Sequence, residues 1–500
     1  TYKAKHGVRT NYFKRALNSL PDIDRPVYQV EGKNLETFMG IINTINIEDA
    51  QAPLEIGSYT LEREAKAFLD GNKLFQRHAA LLGSTGSGKS WAVANILEKS
   101  SKQECANIVV FDLHGEYKKL KYAEQSRIAG PGDLTSPEKG VLFLPFWLLS
   151  YEEMQTMFVD HSEQSAPNQS AAILEAVIKA KKDKLVKEGK EDVLNLFTID
   201  SPIPFKMEQV VNELKRKNEE KIGTGESFTT GANKGQEKTV NGPLYDKLTR
   251  LLIRLNNKID DRRNGFLFQA PEEWYGYDAL DRLVLNLMGD KKTPDYNKSG
   301  IKVIDFSEVP SDILPVVVSL IARLVYQIQV WTNAGEDGLN RHPIVLLCDE
   351  AHVYLPSSSR GSNSVEKKAL ENFERIAKEG RKYGVGLMIV SQRPSDVSTT
   401  ILSQCNNIIS LRLSNDQDKS VVKGLLPESL GGLLDILPSL EVGESIIVGD
   451  AVLLPMRIQL NQPEHEPLSS TLDFWSCWGK KKGTNDLKKA VESLRKQSRI

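Results

Sequence analysis

Residues 78–97 constrain this chain more than any other stretch. The apolar run His78-Ala79-Ala80-Leu81-Leu82 has the length of a buried strand, and Trp91-Ala92-Val93-Ala94-Asn95-Ile96-Leu97 reads as a helix. Between them lies Gly83-Ser84-Thr85-Gly86-Ser87-Gly88-Lys89-Ser90, a full match to GxxxxGK[ST]. Glycines here let the backbone bend without a Cβ clash and aim successive N–H groups inward. The helix that follows adds unpaired N–H groups and the positive end of its dipole, both of which favour an anion. The nucleotide-binding residues are therefore Gly83, Ser84, Thr85, Gly86, Ser87, Gly88, Lys89, Ser90 and the adjoining Trp91. Lys89 is placed for the β- and γ-phosphates and Ser90 for Mg²⁺. The bland alternative is a chance Gly/Ser loop, and the strand–loop–helix context argues against it.

Composition narrows the rest. At about 150 residues per domain, 500 residues make two to four units. With Lys+Arg at 65 against Asp+Glu at 66, no overall basic excess marks a nucleic-acid binder, so any DNA contact must come from a local patch. The four cysteines (Cys105, Cys348, Cys405, Cys477) show no CxxC spacing, which fits a reducing, cytoplasmic setting. Ile313 to Trp331 is the nearest approach to a membrane span, but Pro315, Arg323 and two glutamines make it a buried helix. No membrane partner is expected. The chain begins at Thr1, not Met, which leaves room for an upstream segment.

Taken in order, the chain divides into five parts. Residues 1–76 are a small lead-in, basic and aperiodic at first, with Leu54 to Tyr59 reading as a strand. Residues 77–125 are the first part of an α/β core. Arg77, just before the first core strand, is either a solvated strand-end residue or part of the site. Asn107 to Asp112 is a strand ending in a carboxylate, and Asp112 and Glu116 fall on the edge where α/β sheets bind ligands. A loop-capping role is the other reading for Asp112. Residues 126–300 read as a helical insertion, with a mobile loop at 220–242.

Residues 301–460 resume the core. Pro343 to His352 is an apolar strand delivering Asp349 and Glu350 at its carboxyl end, where Asp349 can hold Mg²⁺ and Glu350 can polarise the attacking water. After the Ser357–Asn363 loop, a helix carries Arg375 and Arg381, and a buried strand then ends in Ser391-Gln392. A polar Gln392 there lies beside a γ-phosphate. Ser445 to Leu460 is a hairpin, and residues 461–500 end in a basic amphipathic tail helix that either braces a neighbour or is solvated.

Five segments now align: RHAALLGSTGSGKS, VVFDLHGEY, VIDFSEVP, LLCDEAHVYLP and ERIAKEGRKYGVGLMIVSQRPSDVSTTILSQCNN. In this order they resemble the HerA family of hexameric ATPases, within the HerA/FtsK group of RecA-like DNA translocases. The resemblance covers residues 54–460 as a scaffold. It implies a RecA-like P-loop core with a mainly parallel sheet, a homohexameric ring with ATP and Mg²⁺ between neighbours, and a channel for double-stranded DNA that is translocated or unwound. It assigns Asp349 and Glu350 to Walker B and Gln392 to the sensor. Arg381 becomes the finger that reaches the next subunit's γ-phosphate, with Arg375 in reserve and Arg77 assisting. Related bacterial members work beside a nuclease or an NADase-type effector, in DNA end processing or phage defence. The family's small leading β-barrel finds too few strand signals before Leu54. An ATP-regulated scaffold or switch ring that controls an effector, and a secretion-type motor that moves protein, are the competing readings.

Overall fold

The computed structural model describes residues 2–5, 8–11, 26, 28–39, 54–227, 229, 236–332, 335, 341–357, 364–426, 431–452, 454–469, 473–479 and 487–497. Most of the basic lead-in, the Ser357–Asn363 loop after Ser357, and parts of the 220–242 stretch and the tail lie outside the described residues.

Twelve strands form one sheet. In chain order they are β1 (Leu54–Tyr59), β2 (Lys66–Leu69), β3 (Ala79–Leu82), β4 (Ile108–Asp112), β5 (Glu124–Ile128), β6 (Val141–Leu142), β7 (Ile301–Asp305), β8 (Ile344–Cys348), β9 (Val385–Ser391), β10 (Asn407–Ser410), β11 (Glu444–Gly449) and β12 (Met456–Leu460). Across the sheet they run β2-β1-β12-β11-β10-β3-β9-β8-β4-β7-β5-β6. Every neighbouring pair from β10 to β6 is parallel, and every pair from β10 to β2 is antiparallel. The expected α/β fold with a mainly parallel sheet is what forms, and the hairpin expected at Ser445–Leu460 is β11 and β12.

Alternation along the central strands explains their unbroken apolar runs. On β3, Ala80 and Leu82 face one core while Ala79 and Leu81 face the other; β4 and β8 divide in the same way. One core is closed by α1 (Lys89–Ser100), which starts at the phosphate loop. The other is closed by α5 (Leu314–Trp331), α6 (Ser364–Glu379) and the insertion helices, among them α2 (Ala166–Lys187), α3 (Met207–Asn218) and α4 (Thr249–Asp260). Among the described residues α5 is the one helix long and apolar enough to cross a membrane, yet most of it is buried against this core. Its Arg323 forms a bidentate pair with Glu153 of the insertion, and Glu153 is also bonded by Asn372 of α6. Insertion and core are thereby joined by a half-buried polar network centred on the buried Glu153.

The structure moves two boundaries expected from sequence and pairs one stretch expected as a loop. β1 and β2 belong to the main sheet rather than to a separate lead-in, because β1 pairs with β12. β5 and β6 extend the opposite edge, so the sheet continues to Leu142 and the insertion starts later than residue 126. Within 220–242, Lys221–Ser227 and Glu237–Asn241 pair as an antiparallel hairpin rather than forming a loop. The tail helix α7 (Leu487–Lys496) leaves Leu487, Val491 and Leu494 exposed.

Candidate active site

The loop after β3 is held from both sides. Gly83 N–H donates to Ser391 O of β9 at 3.2 Å, and Ser84 N–H donates to Arg412 O, just beyond β10, at 2.9 Å. Gly443 N–H closes the far end on Ser87 O at 3.0 Å. Gly86 and Gly88 have φ of 73° and 98°, values an L side chain resists. At Gly83 the reason is space: a Cβ there would lie 2.6 Å from Ser87 Oγ and 2.9 Å from Leu411 Cβ. The sequence therefore fixes a cradle whose N–H groups lead into α1. Ser87 Oγ is buried in it, and among the described residues it has no hydrogen-bond partner.

Four elements bring their side chains to this cradle. Lys89 Nζ, from the first turn of α1, lies 3.1 Å from Glu350 Oε1, and both side chains are buried. Gln392, immediately after β9, donates from Nε2 to the same Glu350 oxygen and accepts at Oε1 from Thr85 Oγ1. Ser90 Oγ donates to Glu116 Oε2 at 2.6 Å. Asp349 is buried at the end of β8, and Glu350 follows it with φ 45°, a left-handed backbone that turns its carboxylate toward Lys89. Burial, with Glu350, Glu116 and Asp112 nearby, pushes the Asp349 carboxyl up to about 7 against the pull of Lys89.

Among the described residues, no three His, Cys, Asp or Glu side chains lie close enough to cage a metal by themselves. Mg²⁺ on a nucleotide needs no such cage: one or two side chains, water and phosphate oxygens complete its shell. Ser90, Glu116 and Asp349 fit that demand, and the crowding of carboxylates around a single lysine is a charge arrangement that a divalent cation relieves.

Other expectations fare differently. Asp112 is the loop-capping residue, not one facing the ligand. Its Oδ1 accepts from the N–H groups of His114, Gly115 and Glu116, and its Oδ2 from Tyr117. It serves the site by shaping the loop that carries Glu116. Arg77 and Arg381 sit at the opposite, amino-terminal edge of the parallel sheet. Arg77 is paired with Asp450. Arg381 is exposed and lines a cleft of about 1060 Å³ together with Phe75, Asn107 and Lys292. Seven residues of β9 separate Arg381 from Gln392, a span of roughly 20 Å at ~3.3 Å per residue, so Arg381 does not reach its own phosphate loop. Arg375, on α6, is stacked 5.5 Å over Tyr326 and lies 3.6 Å from Glu379. Trp91 is half-buried in the first turn of α1.

Sequence reasoning missed His352. Its Nδ1 lies 3.3 Å from Glu350 Oε2, an oxygen that makes no hydrogen bond among the described residues, and burial lowers the pKa of His352. Its place two residues after Glu350 was the available signal.

α6 spans the gap between the two edges. Its amino end follows the Asp349–Glu350 loop and its carboxyl end leads into Arg381, while Glu374 midway accepts from Ser398 Oγ at 3.2 Å in the segment after Gln392.

Comparison with known proteins adds a lineage. Residues 54–325, just over half of the chain, match the family described as "Helicase HerA, central domain". "Probable helicase MJ1565" of Methanocaldococcus jannaschii is 25% identical over 457 residues, covering 91% of this chain and 74% of that protein. "DNA double-strand break repair helicase HerA" of Pyrococcus furiosus is 27% identical over 428 residues, covering 81% of this chain and 69% of that protein. Among solved structures, VirB4 of Thermoanaerobacter pseudethanolicus aligns with a TM-score of 0.49 at 16% identity, over 81% of this chain and 96% of that one.

Proposed function

This chain belongs to the HerA helicase family, and from that membership and the geometry of its phosphate loop we propose that it is an ATPase that moves on double-stranded DNA as a homohexameric ring. One observation carries the reading: a buried Glu350 carboxylate that Lys89 and Gln392 share, with Gln392 also tied to Thr85 of the loop. A triphosphate laid in the loop competes with Glu350 for the ammonium of Lys89. Once Lys89 turns to the phosphates, Glu350 is released to take a proton from the attacking water. Gln392 touches both the loop and that base, so it is placed to report a γ-phosphate. Mg²⁺ bound with the nucleotide supplies positive charge at the phosphates, and Ser90, Glu116 and Asp349 are the residues that would hold it. Both relatives described above are helicases by name, the Pyrococcus furiosus protein a DNA double-strand break repair helicase, which supports the choice of DNA.

The separation of Arg381 from its own loop supports action on a neighbour's nucleotide. A trans guanidinium stabilises transition-state charge only when subunits are engaged, which couples hydrolysis to ring geometry. The deciding experiment is steady-state ATPase of the purified chain with and without duplex DNA, alongside native mass. A six-chain mass and stimulation by DNA that falls steeply with salt are expected. Hexamers that hydrolyse ATP with no response to duplex DNA would point to a scaffold or switch ring, and a chain that binds no nucleotide would end the proposal.

A further inference from the structure

Arg412 stands immediately beyond β10, beside the phosphate loop. Its carbonyl anchors Ser84 N–H, and the preceding Leu411 packs under the loop near Gly83 and Gly88. The side chain of Arg412 is half-buried. Among the described residues, no carboxylate, carbonyl or aromatic ring partners its guanidinium, and this sets it apart. The other half-buried arginines each have a partner: Arg77 with Asp450, Arg127 with Asp133, Arg254 with Glu163, Arg323 with Glu153, Arg457 with Glu444, and Arg341 with Lys382 O.

A guanidinium withdrawn from water without a counterion is costly, and arginine's planar fork suits phosphate oxygens. β9 and β10 flank β3 on opposite sides, so Gln392 and Glu350 border one side of the loop and Arg412 the other. We propose that Arg412 binds the phosphates of the nucleotide held in its own protomer's loop, opposite Glu350 and Gln392. This inference rests on the reading of that loop as a nucleotide site and adds a second cation, in cis, to Lys89.

The test measures binding of fluorescent ADP and of a slowly hydrolysed ATP analogue, each with Mg²⁺, by the full chain and by Arg412→Ala and Arg412→Lys. Melting temperature without nucleotide is recorded alongside, and Lys89→Ala serves as the reference. Arg412→Ala should weaken nucleotide binding roughly ten- to a hundredfold, as loss of charge-assisted hydrogen bonds does. Arg412→Lys should recover part of that. The nucleotide-free melting temperature should hold or rise, because the alanine variant loses no protein partner. Unchanged nucleotide affinity in Arg412→Ala overturns the proposal, and so does weakened duplex-DNA binding with nucleotide affinity intact. A drop in nucleotide-free melting temperature with equal binding loss in both variants assigns Arg412 a structural role and overturns it too. If Lys89→Ala binds nucleotide as tightly as the unaltered chain, the nucleotide reading fails independently of Arg412.

Discussion

Arg381→Ala and Lys89→Ala should each be nearly inactive alone and active when mixed. The expectation follows from the sheet. Arg381 lies before β9 and Gln392 after it, and the roughly 20 Å that β9 spans exceeds the reach of an arginine side chain. Within one protomer Arg381 and the loop cannot meet. Loss of a trans arginine should cut turnover by about 10³- to 10⁵-fold, and loss of Lys89 removes the phosphate grip. In rings assembled from equal amounts of the two variants, about one interface in four joins a protomer with Lys89 intact to a neighbour with Arg381 intact, so about a quarter of the unaltered turnover should return if sites act independently. The assay is phosphate release from co-assembled rings whose mixed composition is verified by native mass. Mixed rings no more active than their parents would refute the trans role of Arg381. The same experiment with Arg375→Ala is expected to show little, because Arg375 already stacks on Tyr326 and its removal leaves Arg381 in place.

Two further expectations concern single residues. Glu350→Gln should keep nucleotide binding and lower turnover by about 10²- to 10⁴-fold, read by comparing affinity with single-turnover hydrolysis; retained turnover would remove Glu350 as the base. His78 supplies a pH dependence. It is buried, its Nδ1 accepts from Leu387 N–H at 2.9 Å, and its Nε2 lies 3.1 Å from Ala377 O, an arrangement that requires the neutral ring. Burial, against the bond to Ala377 and together with the charge of Arg381, pulls its pKa from 6.5 down to about 4. The contribution is therefore complete above the unfolded pKa and is lost as pH falls toward the folded one. By about pH 5 the loss is on the order of 2 kcal/mol. Urea unfolding at about pH 7.5 and about pH 5 should show a drop in the unaltered chain that His78→Asn lacks, and equal drops would sink the assignment.

The phosphate loop and the Asp349-Glu350 pair were legible because their chemistry sits in contiguous residues, bounded by apolar runs that only a doubly covered strand needs. Gln392 was legible for the same reason, at the end of β9. Asp112 was not settled, since a carboxylate at a strand end looks alike whether it caps a loop or faces a ligand; four backbone N–H groups decided it. β5 has one fully buried residue and β6 only two residues in all, so neither offers an apolar run to find. The hairpin at Lys221–Ser227 was hidden because its first strand is exposed along its whole length. Arg412 depends on contacts between segments far apart in the chain, which local pattern cannot supply, whereas His352 stands only two residues from Glu350.

The placement of arginine and loop at opposite edges of one sheet has a consequence for the free chain, given the proposed role of Arg381. A solitary protomer holds substrate and stimulus where neither can act on the other. Newly made copies then stay quiet in the presence of nucleotide until a neighbour docks, so idle consumption is prevented by topology, with no separate inhibitor required.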